Sequence, residues 1–172
     1  MKSLILTATA IAIAGTAPAH AGEVFGGLYA HNVNTPISFG SPEGGVDIQL
    51  GYRGSGITGL KLEPYIFGAL NTKGDTSYAA IGLSRKFGDR IYIRPGIGLA
   101  IHTGSAAKFE NPFNDKIEFG SRILFEPELG IGARISERMT IEASWVHMSH
   151  ATLFARQNPG IDNIGARLSF RL

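Results

Sequence analysis

The chain has 172 residues, 44% of them hydrophobic and only 17% charged, with 23 glycines and no cysteine. That is one domain's worth of chain, less charged than the roughly 25% usual in soluble domains. A formal net charge of +2 without a basic run gives no footing for nucleic acid, and the lack of cysteine excludes disulfide scaffolds, thiolate metal sites and cysteine nucleophiles.

The first element, 1–21, is expected to be an export signal. Lys2 precedes Leu4-Ile5-Leu6 and a small apolar run through Ala14, followed by Gly15, Pro18 and Ala19-His20-Ala21. A basic start, a short apolar stretch and an A-x-A end predict a secretory signal peptide cleaved before Gly22. The apolar run is shorter than the about 20 residues that a spanning helix needs. The expected mature chain, 22–172, carries 15 basic and 14 acidic residues.

From residue 22 onward the period is two. Alternation predicts eight strands, at 24–31, 46–53, 60–71, 76–87, 91–102, 123–135, 139–149 and 162–172. Val46, Ile48, Leu50 and Tyr52 interleave with Asp47, Gln49, Gly51 and Arg53, and the later strands repeat the pattern. No 3.6-residue pattern competes, so the chain is all-β. Alternation alone does not say which face is inside, but glycine does. Gly51, Gly82, Gly96, Gly98, Gly130, Gly132 and Gly165 all fall on the polar face. The interior of an eight-stranded barrel holds little more than its own side chains, so its inner face needs small residues. The polar face also mixes signs, with Asp47, Glu63, Glu126, Glu128 and Glu142 against Arg53, Lys61, Arg94, Arg122, Arg134, Arg167 and Arg171. The expected fold is therefore an eight-stranded antiparallel transmembrane β-barrel of the outer membrane, with a paired, plugged lumen and an apolar face to lipid.

The connections agree with that orientation. The stretches 32–45, 103–121 and 150–161 follow odd strands and are long, as extracellular loops are, with the turn at 72–75 a short exception. The turns at 54–59, 88–89 and 136–138 follow even strands and are short. Pro64, Pro95 and Pro127 lie inside strands of a barrel that has no free edge, so local ladder breaks are expected there.

The last two strands carry the candidate chemistry. In the penultimate one the outward phase runs Met139, Ile141, Ala143, Trp145, His147, Ser149; in the last it runs Asp162, Ile164, Ala166, Leu168, Phe170. A hairpin pairing Met139 with Phe170, Ile141 with Leu168 and Trp145 with Ile164 sets His147 opposite Asp162, Cβ atoms roughly 4.5–5.5 Å apart. Ser149 follows on the same face. A hydroxyl, an imidazole and a carboxylate on one lipid-facing patch near the outer rim are what a nucleophile, a general base and an orienting acid require. The bland alternative is a set of ordinary rim residues.

The segment His147-Met-Ser149-His150-Ala151, followed by Asn158-Pro-Gly160-Ile161-Asp162, resembles the active-site region of the lipid A 3-O-deacylases, the PagL-type outer-membrane hydrolases. The resemblance implies an eight-stranded barrel, no cofactor, and removal of the 3-O-linked acyl chain from lipid A of lipopolysaccharide. It implies Ser149 as nucleophile, His147 as base, and Asn158 and Gly160 as contributors to an oxyanion hole. Two positions depart from the family pattern. Asp162 stands where the family has glutamate, after a loop one residue longer, and His150 stands where the family has asparagine. By parity His150 points into the barrel as a structural rim residue, and Glu142 lies on the wrong face to replace Asp162. Other readings stay open: a non-catalytic outer-membrane barrel with an envelope-structural or adhesion role, and a small periplasmic ligand-binding barrel with an apolar interior. A homodimer stays open too.

Weaker features complete the reading. His31 and His102 face the lumen and are too scattered for a metal site, so polar packing is expected. In the 103–121 loop, Lys108, Phe109, Phe113 and Phe119 either touch lipopolysaccharide head groups or form an exposed loop without that role. Glu110, Asp115 and Glu118 match no established calcium spacing.

Overall fold

A computed structural model describes residues 22–38, 42–57, 59–107, 116–153 and 158–172. The expected signal peptide, together with Lys108, Phe109, Glu110, Phe113 and Asp115, lies outside the described residues. No helix among the described residues is long and apolar enough to cross a membrane. The named elements of the described residues are all strands.

These are β1 (Glu23–Ala30), β2 (Val46–Arg53), β3 (Glu63–Asn71), β4 (Tyr78–Ser84), β5 (Phe87–Gly88), β6 (Ile91–His102), β7 (Ile123–Arg134), β8 (Met139–Met148) and β9 (Ile161–Arg171). All pair antiparallel with their neighbours. β1 joins β9 and β4 joins β6, so the sheet closes on itself. β4 and β5 are one stave of an eight-strand barrel. Ser84 faces Gly96 and Phe87 faces Ile93 in a single unbroken register against β6.

The interruption between them is the work of Pro95. Arg85 N–H donates to Pro95 O at 3.0 Å, but Pro95 has no N–H to return. Pro127 does the same between β7 and β8. That ladder stops at Glu128 facing Val146 and resumes only at the Phe125–Ser149 bridge, and the register sets Pro127 across from His147. Pro64 sits where the β2–β3 ladder ends, accepting from Gly54 N–H at 2.7 Å. The expected breaks are thus found, one of them beside the candidate histidine.

Side-chain parity sorts the two faces as expected. Leu50, Leu70, Ile91, Ile97 and Ile131 are among the many large apolar side chains exposed on the outside. Inside, near the end that holds the start of β1 and the end of β9, three carboxylates and three guanidiniums close a ring. Glu23 meets Arg53 at 2.9 Å, Arg53 meets Glu128 at 3.0 Å, and Glu128 meets Arg167 at 2.8 Å. Arg167 then meets Glu142 at 3.2 Å, Glu142 meets Arg94 at 3.2 Å, and Arg94 returns to Glu23 at 2.9 Å. The glycines make room for this ring: a Cβ on Gly130 would lie 2.3 Å from the Glu142 carboxyl carbon. Next comes an aromatic layer of Phe25, Tyr29, Tyr65, Phe67 and Tyr78, in which Tyr65 donates to Glu126. Leu124, Val146, Met148 and Ile161 complete the core, joined by Ile117 and Phe119 from the 103–121 loop.

Several sequence expectations are corrected here. Phe119 is not a head-group contact: it is fully buried against His102, ring centroids 4.4 Å apart, because the segment 117–119 packs into the barrel mouth. Lys61 is not on the inner face. With φ of 54° it sits in the turn before β3, which begins at Glu63 and not at residue 60. Arg122 is exposed ahead of β7, donating to the carbonyls of His102 and Gly104 at 2.8 and 2.7 Å. Arg134 pairs with Asp89 at 2.7 Å on the rim, and Arg171 is exposed at the end of β9. All four lie at or beyond strand ends, where the barrel wall no longer separates an inside from an outside.

Above the core, His31 bridges Asp47 at 2.9 Å and Glu43 at 3.3 Å. Burial would lower its pKa, but hydrogen bonds to Asp47 and Glu43 overcome that and raise it to about 9. Burial would raise Glu43, yet the bonds from His31, Thr76 and Ile117 leave its carboxyl below the usual range. His102 Nε2 bonds to Ser121 O at 2.8 Å.

Candidate active site

β8 and β9 pair in the expected register: Met139 with Phe170, Ile141 with Leu168, Trp145 with Ile164 and His147 with Asp162. Facing positions of an antiparallel pair present their side chains on the same side. His147 Nδ1 and Asp162 Oδ1 accordingly meet at 2.9 Å.

Asp162 lies in the outward phase of β9, yet its side chain has no exposed surface. Three donors account for this. Beside His147, Trp145 Nε1 donates to the same Oδ1 at 2.7 Å, and the Thr35 hydroxyl donates to Oδ2. The Trp145 ring also stacks on the His147 imidazole, centroids 5.9 Å apart and planes 26° apart. Neither Thr35 nor Trp145 was singled out from the sequence. Trp145 had a signal: in the hairpin register it is diagonal to Asp162, within reach of a long side chain. Thr35 had none, since it arrives from a loop 127 positions away in the chain.

Ser149 follows on the same side, just past the end of β8, and is 7% exposed. Its backbone is held on both sides by Phe125, through Phe125 N–H to Ser149 O at 2.8 Å and Ser149 N–H to Phe125 O at 3.1 Å. The chain then turns sharply. Ala151 and Thr152 both adopt left-handed conformations, φ 52° and 60°, which residues with a Cβ rarely do. Asn158 Oδ1 accepts His150 N–H at 3.0 Å and anchors the turn. His150 itself is buried, as its parity predicts.

Gly160 packs directly on the cluster. A Cβ there would lie 2.8 Å from His147 Cε1, 3.0 Å from Met148 O and 3.3 Å from Ser149 Cβ. Glycine is therefore required by close approach, and Ser38 Oγ holds its carbonyl at 2.7 Å. The five residues singled out in sequence thus fall in one neighbourhood at the rim opposite the ion ring. Among the described residues no group of acidic and histidine side chains has the arrangement of a metal site.

None of the curated proteins matches this sequence. Among solved structures, the crystal structure of the outer membrane enzyme PagL superposes with a TM-score of 0.59 at 19% identity, covering 87% of this chain and 99% of that one. A structure from the de novo design of transmembrane β-barrels superposes with a TM-score of 0.53 at 10% identity, covering 89% of this chain and 97% of that one. At such identities the likeness bears on the fold, a closed barrel of the outer-membrane type. The family model for lipid A 3-O-deacylase (PagL) matches residues 44–171, from just before β2 to the end of β9 and across the whole His147–Asp162 cluster. By that match the chain belongs to the lipid A 3-O-deacylase (PagL) family, whose place is the outer membrane.

Proposed function

We propose that this chain is a serine ester hydrolase that removes the 3-O-linked acyl chain from lipid A, with Ser149 as nucleophile, His147 as general base and Asp162 as orienting acid. The observation that carries the reading is the 2.9 Å contact between His147 Nδ1 and Asp162 Oδ1 on the lipid-facing side of the rim, where Ser149 follows two residues on. A carboxylate only accepts, so Nδ1 bears the proton and Nε2 is left basic. Ser149 Oγ attacks the ester carbonyl as its proton passes to Nε2. The tetrahedral intermediate then expels the 3-oxygen of lipid A, which takes that proton. Water repeats the sequence on the acyl-enzyme and releases the fatty acid.

The oxyanion needs donors that are not already in use. The N–H groups of Ser149 and His150 are committed to Phe125 O and Asn158 Oδ1. With its oxygen engaged, the Asn158 amide turns its Nδ2 elsewhere. Asn158 Nδ2 and the Gly160 N–H are the donors we assign. The lipid-facing placement suits a substrate whose ester lies at the head-group boundary of the outer leaflet, and all the proposed groups come from one chain, so the reading needs no second copy.

Mass spectra of lipid A from cells expressing the wild type or Ser149→Ala, at matched outer-membrane levels, test this. Loss of one hydroxyacyl mass with the wild type alone is the expected result. Cleavage by both proteins would sink Ser149 as nucleophile. Unchanged spectra from both, with purified folded protein inert toward lipid A in detergent, would favour the non-catalytic barrel.

A further inference from the structure

We infer that Thr35, together with Trp145, is a positioning residue that fixes the plane of the Asp162 carboxylate, and that the segment after β1 is thereby part of the active site. The inference rests on the Ser149–His147–Asp162 reading. A carboxylate held through one oxygen swings about its terminal torsion, which is broad and roughly two-fold. Here both oxygens are held: Trp145 Nε1 shares Oδ1 with His147 at 2.7 Å, and Thr35 Oγ1 takes Oδ2. Thr35 cannot easily turn away. Its oxygen accepts Ile37 N–H at 3.3 Å, which steers its single proton to Asp162.

The segment that brings Thr35 is itself fastened along the start of β9. Asn32 N–H donates to Asn163 Oδ1 at 2.8 Å, Val33 N–H to Asp162 O at 2.8 Å, and Ser38 Oγ to Gly160 O at 2.7 Å. Thr35 and Ser38 bridge each other through their backbones at 2.9 and 3.3 Å. Both the main chain and the side chain of Asp162 are therefore gripped by residues 33–35. These residues precede the stretch 44–171 that matches the family, so the match does not reach them.

Full-length protein in detergent, with folding checked by heat-modifiable gel migration and lipid A as substrate, tests this through four variants. Thr35→Val removes the hydroxyl at constant shape, Thr35→Ser returns it, Trp145→Phe removes the ring donor, and Ser149→Ala is the control. Thr35→Val and Trp145→Phe should each lose about tenfold to a hundredfold in kcat with KM nearly unchanged, because misorientation of the base acts on the reacting step. Thr35→Ser should recover most of the rate. Wild-type kcat in both Thr35→Val and Trp145→Phe, with Ser149→Ala dead, would overturn this inference and leave the catalytic reading intact. A Thr35→Val loss that serine does not recover would overturn it as well, since the methyl packing alone would then matter. If Thr35→Val does not fold, Trp145→Phe decides by the same kcat criterion. Activity in Ser149→Ala would remove the catalytic reading itself.

Discussion

Gly160 and Asp162 make the site sensitive to single atoms. A methyl on Gly160 would lie 2.8 Å from His147 Cε1, and the imidazole cannot yield without leaving Asp162. Gly160→Ala is therefore expected to fold, to migrate as a heat-modifiable barrel, and to lose at least about tenfold in kcat in a detergent deacylation assay. Asp162→Asn keeps one oxygen for His147 and Trp145 only by turning its amide NH2 toward Thr35, and it removes the negative charge that orients and stabilises the protonated imidazole. A loss of about a hundredfold to ten-thousandfold in kcat follows, measured beside a little-changed unfolding midpoint. At this scale the sequence placed His147, Ser149 and Asp162 on one face because facing strand positions share a face by parity alone. It missed Trp145, which on a lipid face passes for ordinary apolar surface. Thr35 was out of reach, because nothing in a Thr-Pro-Ile-Ser loop says which strand it will lie against.

The strands show why parity was so informative and where it stopped. Gly165 and Ala166 are neighbours on β9 with opposite fates. A Cβ on Gly165 would meet Leu28 O at 2.1 Å and the Tyr29 ring at 2.6 Å, whereas Ala166 faces outward and is exposed. Gly165→Ala should fail to reach the heat-modifiable form in refolding trials, while Ala166→Val, which adds apolar surface toward lipid, should refold like the wild type. The prolines mark where parity stops being informative. Their ladder breaks were legible because proline lacks an N–H, but the consequence at Pro127 was not. Only the β7–β8 register shows that the missing donor falls across from His147.

For the molecule as a whole, the buried ring of Glu23, Arg53, Glu128, Arg167, Glu142 and Arg94 ties six staves together. Each ion has at least two partners of opposite sign, and Arg94 has a third in Glu63 at 3.4 Å. Removing Arg167 therefore takes one of their two guanidinium partners from both Glu128 and Glu142 in the lumen. Arg167→Met is expected to cost about 3–5 kcal/mol in urea unfolding from lipid vesicles. At the opposite rim, His31 holds the loop residue Glu43 against Asp47, and Glu43 in turn accepts Thr76 N–H and Ile117 N–H at 3.1 Å each. The folded pKa of His31 is raised from 6.5 to about 9. Its contribution to stability is therefore complete below the unfolded value and is lost as pH rises through about 9. Proteolytic nicking of the rim loops should increase between pH 7 and 10 in the wild type, and His31→Gln should flatten that dependence.

By itself the sequence determined the all-β class, the two faces of the staves and the pairing of His147 with Asp162. All three follow from one physical fact: side chains on a strand alternate with period two, so a one-dimensional pattern assigns each residue to a face and each hairpin to a register. Tertiary structure alone decided what covers those faces. Phe119 fills the barrel mouth, Thr35 and Trp145 close over Asp162, and His31 collects carboxylates from a loop and a neighbouring strand. Loops carry no period to read, and where they fold back is set by contacts between residues far apart in the chain. The candidate active site lies where those two kinds of information meet, its reacting groups laid down by strand parity and its acid held in place by a loop.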